Sequence, residues 1–510
     1  MSTITTGKVV IYKPNFSVNP VDTLLDLPVL GAENTLYVIK DTGAIYLWNG
    51  SEFVTTTTPT SKTVYVDDTY GNDVTGKRGY LNLPFKTQSA AIAVVESGDT
   101  LFFRSGTYTW GTVIPDISNI TIKSDGVISG GTNIINSVST DVRQVNIISE
   151  DITTSLPLSA GINGSLYFDV KNFTIGHNFS ILAGSTSTIK INNLVKTGTA
   201  GHLFFIFHNE EYTNIIVNKY YFYDVATINA SRWGLVTIFN NNTDIDNKTG
   251  GTVVCSVNEY ILYANLSGLL YISDTSTKII SDYNYIVTVN NIKQVGYNVA
   301  TTDKYGLVYS NSINTNHSNN KYTLNLINVD IDYPLYHNYI GISGATITFN
   351  ITNLKINYSS LLMTSSAGVA TAILNSNIIY NVNKGTVYEV FGFNAAHTSS
   401  ITLTNSTIVI NGDFTTNTDV APRFVLDATS KIVFKGRLNL GDKKFDLSNI
   451  TGAGADNVYF DNCTIITTGT NCIDAGSAKN IKVMNTYSNK VASANITSLI
   501  EPIVVNAIIN

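Results

Sequence analysis

Two aspartates in the segment 201–247 have a spacing that could bring them together as a catalytic pair. Asp224 and Asp246 are 22 residues apart, about one period of a repeat that runs through the chain. Two carboxylates about 5 Å apart suit a retaining glycosidase, and a separation of about 6.5–9.5 Å suits an inverting one. No glycosidase or lyase motif surrounds them, and acidic residues in loops are usually solvated. The pair is therefore an alternative hypothesis, and a protein without enzymatic activity is the favoured interpretation.

The same segment contains aromatic side chains that could bind a sugar. Tyr221, Tyr223 and Trp233 could stack on sugar rings, and amides could hydrogen-bond the hydroxyls of a neutral polysaccharide. For any single tyrosine, strand propensity is the simpler explanation. These three residues are the candidate ligand-binding residues. No Ser/His/Asp order, metal-ligand spacing or phosphate-binding glycine loop stands out, so neither a metal nor a cofactor is expected.

The composition narrows the possible partners. With 31 basic and 37 acidic side chains the net charge is −6, which predicts binding neither to nucleic acid nor to an anionic membrane surface. No apolar run has the length of a transmembrane helix, and the first residues contain no apolar segment typical of a secretion signal. Three cysteines in 510 residues build no disulfide framework. We therefore expect buried cysteines, no membrane insertion, and folding in a reducing cytosol.

A short pattern, apolar–x–apolar–x–Asn, recurs through most of the chain and must position these side chains. Its copies end at Asn172, Asn193, Asn291, Asn328, Asn353, Asn405, Asn462 and Asn485, with weaker copies at Asn218, Asn258 and Asn377. Many steps between copies are 21 to 25 residues. A step of 37 fits a coil with an inserted loop, and a step of 57 fits two coils with one asparagine missing. A period of about 20–30 residues made of short strands is typical of a solenoid.

The apolar alternation changes phase at these asparagines. Phe349 and Ile351 alternate, and after Asn353 the apolar face restarts at Leu354. A corner of a parallel β-helix would explain the change, because asparagine tolerates left-handed backbone geometry and stacked amides can bond from coil to coil. We therefore expect Asn328 and Asn353 to be buried or half-buried at corners, with one or both left-handed. At about 25 residues per coil, the rod would have roughly 16 coils and a length of about 75 Å.

Residues 63–110 have a different pattern, which reads as strand, polar loop, helix and strand. Ala91, Val94 and Val95 fall on one face of a helix predicted over 88–97. Such a helix would cover the open end of the first coil and protect it from edge pairing.

Four motifs in and after this segment resemble the opening of pectin-lyase-like right-handed β-helices: YVDDTYGND, PFKTQSAAI, GDTLFFRSGTY and NITIKSDG. The close match covers about 60 residues, and the coils behind it match only as a pattern. The resemblance implies an all-β fold: an opening segment with a short capping helix over 63–110, then a right-handed single-stranded parallel β-helix over 111–510. It implies little about chemistry, since this fold supports lyases, glycosidases, adhesins and viral spikes.

Residues 1–54 form a separate predicted β module, followed by a linker over 55–62. The stretch LYVIKDTGAIYLWNG reads as strands with turns at Asp41–Gly43 and Asn49–Gly50. It resembles hairpin units of bacteriophage tail-fibre and spike proteins, which lie near the virion. The resemblance implies that residues 1–60 attach the chain to other virion proteins; a solubilising extension is the alternative.

Two functions follow as hypotheses. The first is a bacteriophage virion protein, a tail or head fibre or spike, that binds a polysaccharide receptor on the host surface. The absence of a secretion signal favours this over a bacterial adhesin, because a phage protein assembles in the host cytoplasm and leaves in the virion by lysis. The second is a spike depolymerase, a glycosidase or lyase, that cleaves capsular or O-antigen polysaccharide. We expect a homotrimer about the rod axis, because cyclic symmetry suits a rod attached at one end.

Overall fold

The computed structural model describes most of the chain. It covers residues 17–32, 35–40, 45–48, 51–55, 62–111, 119–129, 142–154, 158–176, 179–183, 186–197, 204–206, 212–223, 235–240, 248–262, 269–274, 280–294, 306–311, 318–338, 341–364, 372–393, 401–477, 479–492, 496–499 and 504–505. These residues are almost all in strands and turns, with a single short α-helix among them. Across the same ranges, no helix has the length and apolarity needed to cross a membrane.

The N-terminal strands form a four-stranded sheet of their own. The strands are β1 (Ser17–Val21), β2 (Thr35–Ile39), β3 (Ile45–Trp48) and β4 (Phe53–Thr55), and a 3₁₀ turn spans Leu24–Asp26. The antiparallel strands β2, β3 and β4 agree with the predicted hairpin unit. Strand β1 was not predicted, and it pairs with β2 in parallel. Both predicted turns lie outside the described residues.

The opening segment brings three strands and the helix to the first coil. Its elements are β5 (Thr63–Val66), α1 (Gln88–Ile92), β6 (Thr100–Phe103) and β7 (Thr107–Thr109). The helix is shorter than predicted and begins after its N-cap Thr87, whose side chain accepts from the backbone N–H of Ala90. Ala91, Ile92 and Val95 join the core. The prediction that Val94 shares this face is wrong, because the chain turns after Ile92 and leaves Val94 exposed.

The remaining strands form the stack. They are β8 (Ile120–Ser129), β9 (Val142–Thr154), β10 (Leu158–Ile175), β11 (Phe179–Ala183), β12 (Thr186–Thr197), β13 (Phe204–Ile206), β14 (Tyr212–Tyr223), β15 (Val236–Asn240), β16 (Lys248–Leu262), β17 (Leu270–Asp274), β18 (Ile280–Gln294), β19 (Val308–Asn311), β20 (Lys321–Ile331), β21 (Tyr336–Asn338), β22 (Gly341–Ser343), β23 (Thr346–Thr364), β24 (Ala372–Leu374), β25 (Asn377–Phe393), β26 (Ile401–Thr404), β27 (Thr407–Thr416), β28 (Phe424–Leu426), β29 (Lys431–Asn439), β30 (Phe445–Asp446), β31 (Val458–Ile466), β32 (Ile473–Asp474), β33 (Lys479–Met484), β34 (Tyr487–Ser488), β35 (Ile496–Leu499) and β36 (Val504–Val505).

Long strands form a main column in which each strand is parallel to the next. Its order is β8-β9-β10-β12-β14-β16-β18-β20-β23-β25-β27-β29-β31-β33. Shorter strands form further parallel columns, one from β11 to β21 and one from β22 to β28. Because each strand pairs with the corresponding strand one coil away, the fold is an all-β parallel solenoid, as predicted.

The inward side chains of successive coils stack in rows. The rings of Phe349 and Tyr380, which are register partners, stack with 4.9 Å between centroids. Tyr285 and Tyr322 stack in the same way, also at 4.9 Å. This distance matches the spacing of about 4.8 Å between hydrogen-bonded strands, so one ring per coil fills the interior without a gap. The three cysteines are buried, as predicted: Cys255, Cys463 and Cys472.

Each long strand bends at a position that we call the middle corner. In β23, Ile351 and Leu354 are both buried, and Thr352 and Asn353 between them both face solvent. Two consecutive outward residues produce the phase change seen in the sequence. The prediction for Asn328 and Asn353 is otherwise wrong: both are exposed, and neither has a positive φ. The bend is made by two outward residues within a strand, so it needs no left-handed residue there.

Left-handed asparagines do occur, at two different corners. Asn462 and Asn485 lie at the middle corner with φ of 53° and 47°. Asn375 and Asn405, with φ of 48° and 46°, lie at the first corner, immediately before the main-column strands β25 and β27. The single sequence pattern therefore combined two structural positions.

This mixture explains the misread steps of the repeat. The register partner of Asn353 in the next coil is Lys384, whereas Asn377 pairs with Thr346. The steps to Asn377 and from Asn405 therefore do not count coils. The longer step from Asn291 to Asn328 is one coil, as predicted, because these two residues are register partners.

Candidate functional site

The structure describes only part of the predicted site. Tyr221 lies in β14 with its side chain half-buried on the outer face. Tyr223 is the last residue of the same strand. Asp224, Trp233 and Asp246 lie outside the described residues, so the carboxylate pair and the indole ring stay predictions.

A row of amides follows the middle corner from coil to coil, and we call it the corner ladder. Asn328 Nδ2 donates to Asn291 Oδ1 at 2.9 Å, and Asn353 Nδ2 donates to Asn328 Oδ1 at 2.9 Å. The full ladder comprises Asp151, Asn172, Asn192, Asn193, Asn218, Asn258, Asn290, Asn291, Asn328 and Asn353. The predicted bonding between stacked asparagines is therefore confirmed, on the outside of the solenoid.

The ladder shifts by one residue where an ion pair occupies its row. The register partner of Asn193 is Lys219, whose Nζ lies 3.4 Å from Glu259 Oε2 in the next coil. Over these coils the amide hydrogen bonds, of 2.9 to 3.1 Å, pass through Asn192, Asn218, Asn258 and Asn290. At Asn291 the ladder returns to its first row. The corner thus stays lined with hydrogen-bonded polar groups along the middle of the stack.

A second row of amides, the face ladder, lies on the flat strand before the corner. It consists of the half-buried residues Asn325, Asn350, Asn381 and Asn411, which are register partners in successive coils. Each Nδ2 donates to the Oδ1 of the preceding coil, at 2.9 to 3.2 Å. The sequence analysis missed this ladder because it followed one asparagine per coil. The available signal was a second asparagine three residues earlier, as at Asn325 and Asn350.

Each ladder forms the floor of an open groove. The corner groove, of about 510 Å³, is lined by Asn291, Asn328 and Asn353 among others. The face groove, of about 610 Å³, is lined by the face ladder. An asparagine amide has two N–H donors and an oxygen with two lone pairs. Since a ladder bond on each side uses one donor and one lone pair, the remaining N–H and lone pair of Asn328 can bind a ligand hydroxyl.

Two exposed tyrosines lie close to the corner groove in sequence. Tyr358 and Tyr388 are 58% and 41% exposed, and they follow the groove-lining residues Lys355 and Thr386 on adjacent strands. They stand at a register irregularity between β23 and β25. Exposed rings beside hydrogen-bonding amides can stack on sugar faces. The sequence analysis did not single them out, because the irregularity interrupts the alternation that distinguishes outward from inward residues.

Carboxylates near the corner groove are held by neighbouring side chains. Asn357 Nδ2 donates to Asp330 Oδ1 at 3.1 Å and to Asp332 Oδ1 at 2.7 Å. Lys355 Nζ lies 3.4 Å from Asp330 Oδ1. Within the described ranges, no group of three or more His, Cys, Asp or Glu side chains could hold a metal ion. The arrangement suits hydrogen bonding to hydroxyls and ring stacking.

Comparison with protein-family models, curated proteins and solved structures found no match for this chain. The surface has to be interpreted from its own geometry.

Proposed function

We propose that this chain is a bacteriophage virion fibre or spike protein that binds a polysaccharide on the host surface without cleaving it. Its solenoid would be a right-handed single-stranded parallel β-helix of the pectin-lyase-like type. The protein would assemble in the host cytoplasm and act in the virion. The opening motifs and the N-terminal hairpin unit of the sequence support this assignment by resemblance.

The observation that carries the binding proposal is the pair of parallel amide ladders. They repeat donors and acceptors at each coil, about every 4.8 Å, along two open grooves. A polysaccharide is a repeating chain of hydroxyls and ring faces, so a surface that repeats along one axis can contact several sugars at once. The exposed rings of Tyr358 and Tyr388 add stacking surfaces beside this row.

The N-terminal sheet has features that suit attachment to another protein. Four of its large apolar side chains face solvent: Val18, Leu25, Val29 and Leu30. A small sheet with this much exposed apolar surface is stabilised when a partner covers it. In the proposal, residues 1–60 contact sister chains of a homotrimer and other virion proteins. Light scattering at micromolar concentration should give the mass of a trimer, and a monomeric full-length chain would contradict this part.

Adsorption and cleavage assays on cells and extracted polysaccharides test the function directly. Fluorescent protein should adsorb to cells of a susceptible strain and to their purified surface polysaccharide, and no oligosaccharides should be released. A variant with Tyr358→Ala and Tyr388→Ala should adsorb more weakly, whereas Tyr70→Ala, an exposed tyrosine of the opening segment, serves as the matched control. Failure to adsorb to any strain that its phage infects would contradict the proposal.

Release of oligosaccharides would instead support the depolymerase alternative. In that case Asp224→Asn or Asp246→Asn should abolish release and leave adsorption intact, since an amide can act neither as a nucleophile nor as a titrating acid.

A further inference from the structure

We infer that the corner groove binds an acidic polysaccharide, in which carboxylates such as those of uronic acids recur along the chain. The inference rests on the proposed function and specifies the class of glycan for the same surface. It differs from what composition suggests, because amides and rings alone would suit a neutral polysaccharide.

The corner groove has an excess of positive charge although the protein has a net charge of −6. Three lysines line it, Lys293, Lys355 and Lys384, against two carboxylates, Glu259 and Asp330. In a protein with more acidic than basic side chains, this local reversal of sign favours an anionic ligand.

The two carboxylates of the groove are already neutralised by lysines. Glu259 pairs with Lys219 at 3.4 Å, and Asp330 pairs with Lys355 at 3.4 Å. Lys293 and Lys384 are exposed and form no ion pair with any residue that the structure describes. Two cations beside an amide floor are therefore left to contact a ligand.

The register places these charges in a line along the groove. Lys293, Asp330 and Lys355 are register partners in three successive coils, and Lys384 is the register partner of Asn353 in the coil after Lys355. With about 4.8 Å between strands, the backbones at Lys293 and Lys355 lie about 10 Å apart, and Lys384 lies about one coil further on. An extended polyanion laid along the stack could meet both ends of this row while its hydroxyls contact the ladder.

The face groove offers an internal contrast. Its charged lining residues are one acid and one base, Asp413 and Arg437, and the rest of its polar lining is mainly amide. The two grooves thus have the same kind of floor and differ in charge. An acidic glycan should choose the corner groove, and loss of its lysines should affect acidic ligands alone.

The experiment uses a glycan array in which each uronate-bearing polysaccharide is printed beside its carboxyl-reduced, neutral form. The full-length protein should bind acidic members, and affinity should fall as sodium chloride is raised from 50 to 500 mM. Carboxyl reduction and the double variant Lys293→Gln/Lys384→Gln should each weaken binding about tenfold or more, because charge-assisted contacts are lost.

A control variant removes the same net charge elsewhere. Lys321→Gln/Lys431→Gln replaces two exposed lysines that do not line the corner groove, and it should bind within about twofold of the unmodified protein. Equal binding to acidic and reduced forms, or equal loss in both double variants, would overturn the acidic-glycan inference and leave the proposed function standing. Absence of binding to every glycan on the array would overturn both.

Discussion

The middle corner is built in two ways along the same stack. At Asn291, Asn328 and Asn353 no residue has a positive φ, and the asparagine side chains bond from coil to coil. Further along, Gly436 (φ 82°) and Asn462 (φ 53°) take a left-handed conformation at the equivalent bend. In both regions two outward residues separate the flanking buried ones, so the change of phase is the same and only the backbone solution differs.

The comparison shows that asparagine serves two physical purposes in this protein. At Asn353 the side chain is needed, because its amide joins the ladder. At Asn462 the backbone is needed, and the side chain donates only to its neighbour Asp461, at 3.0 Å. Glycine should therefore substitute well at Asn462 and poorly at Asn353, and alanine should show the opposite order. Substitutions at both corners test this distinction.

The largest effect is expected at Gly436. A Cβ there would lie 2.5 Å from the carbonyl oxygen of Gly412, in addition to the left-handed strain. We expect Gly436→Ala to lower the free energy of unfolding by about 3 kcal/mol, combining overlap and backbone strain. The control is Gly441→Ala, where φ is 60° but nothing lies within 4 Å of the added Cβ. It should cost about 1 kcal/mol. Urea denaturation checks both, and equal losses would show that the close approach is unimportant.

The next effect is expected at Asn462. Alanine there must adopt a left-handed φ, so Asn462→Ala should lower the free energy of unfolding by about 1–2 kcal/mol. Asn462→Gly should cost less than half of that, since glycine adopts this conformation freely. The pair should be compared by urea denaturation and by hydrogen exchange of the peptide 458–466. If glycine were as harmful as alanine, the side chain rather than the backbone would be the requirement.

A pH-dependent effect is expected where a carboxylate supports a left-handed asparagine. A hydrogen bond from the Ser430 side chain, with others from the backbone N–H groups of Asn405 and Ser430, lowers the pKa of Asp427 to about 2. Its contribution to stability is therefore complete above its usual pKa of 3.8 and is lost as the pH falls through about 2.

Melting temperatures measured from pH 5 to pH 2 should separate this contribution from others. Asp427→Asn should melt lower than the unmodified protein at pH 5, and the difference should shrink toward pH 2. Asn353→Ala should keep the pH dependence of the unmodified protein, because the corner ladder at Asn328 and Asn353 contains no titrating group. An unchanged difference for Asp427→Asn across this range would contradict the assigned role.

The smallest effect is expected at Asn353. Its amide is exposed, so loss of one ladder bond in Asn353→Ala should cost about 0.5–1 kcal/mol. Asn353→Gly should cost more than alanine, since glycine in a strand adds conformational entropy to the unfolded chain. The order of glycine and alanine is then reversed relative to Asn462, and the same order at both positions would remove the distinction between the two corners.

The inward half of the fold was predictable from the sequence because each coil must present apolar side chains to the one below. Phe349 and Ile351 in strict alternation, repeated one coil later at Tyr380 and Val382, are sufficient to indicate stacked strands. The corners were predicted less well. The same local pattern precedes Asn353 and Asn405, yet they stand at different corners with different backbones.

The ladder was expected from the repeated asparagines, but the charges of the corner groove could not be predicted in the same way. Lys293 and Asp330 are 37 residues apart, Asp330 and Lys355 are 25 apart, and all three are register partners in consecutive coils. Of the binding residues predicted from the sequence, Tyr221 was placed on the outer face. Trp233 and the Asp224–Asp246 pair stay predictions.

By itself, the sequence determined the fold class, the repeating coil, the bend at the phase change and the position of the apolar rows. Each of these depends on local spacing along one chain, which burial of apolar side chains translates directly into strands and corners. Only the tertiary structure decided which outward side chains become neighbours. Parallel coils pair through backbone hydrogen bonds regardless of how many residues lie between them, so the register, and with it the amide ladders and the line of lysines, emerges only when the coils have stacked.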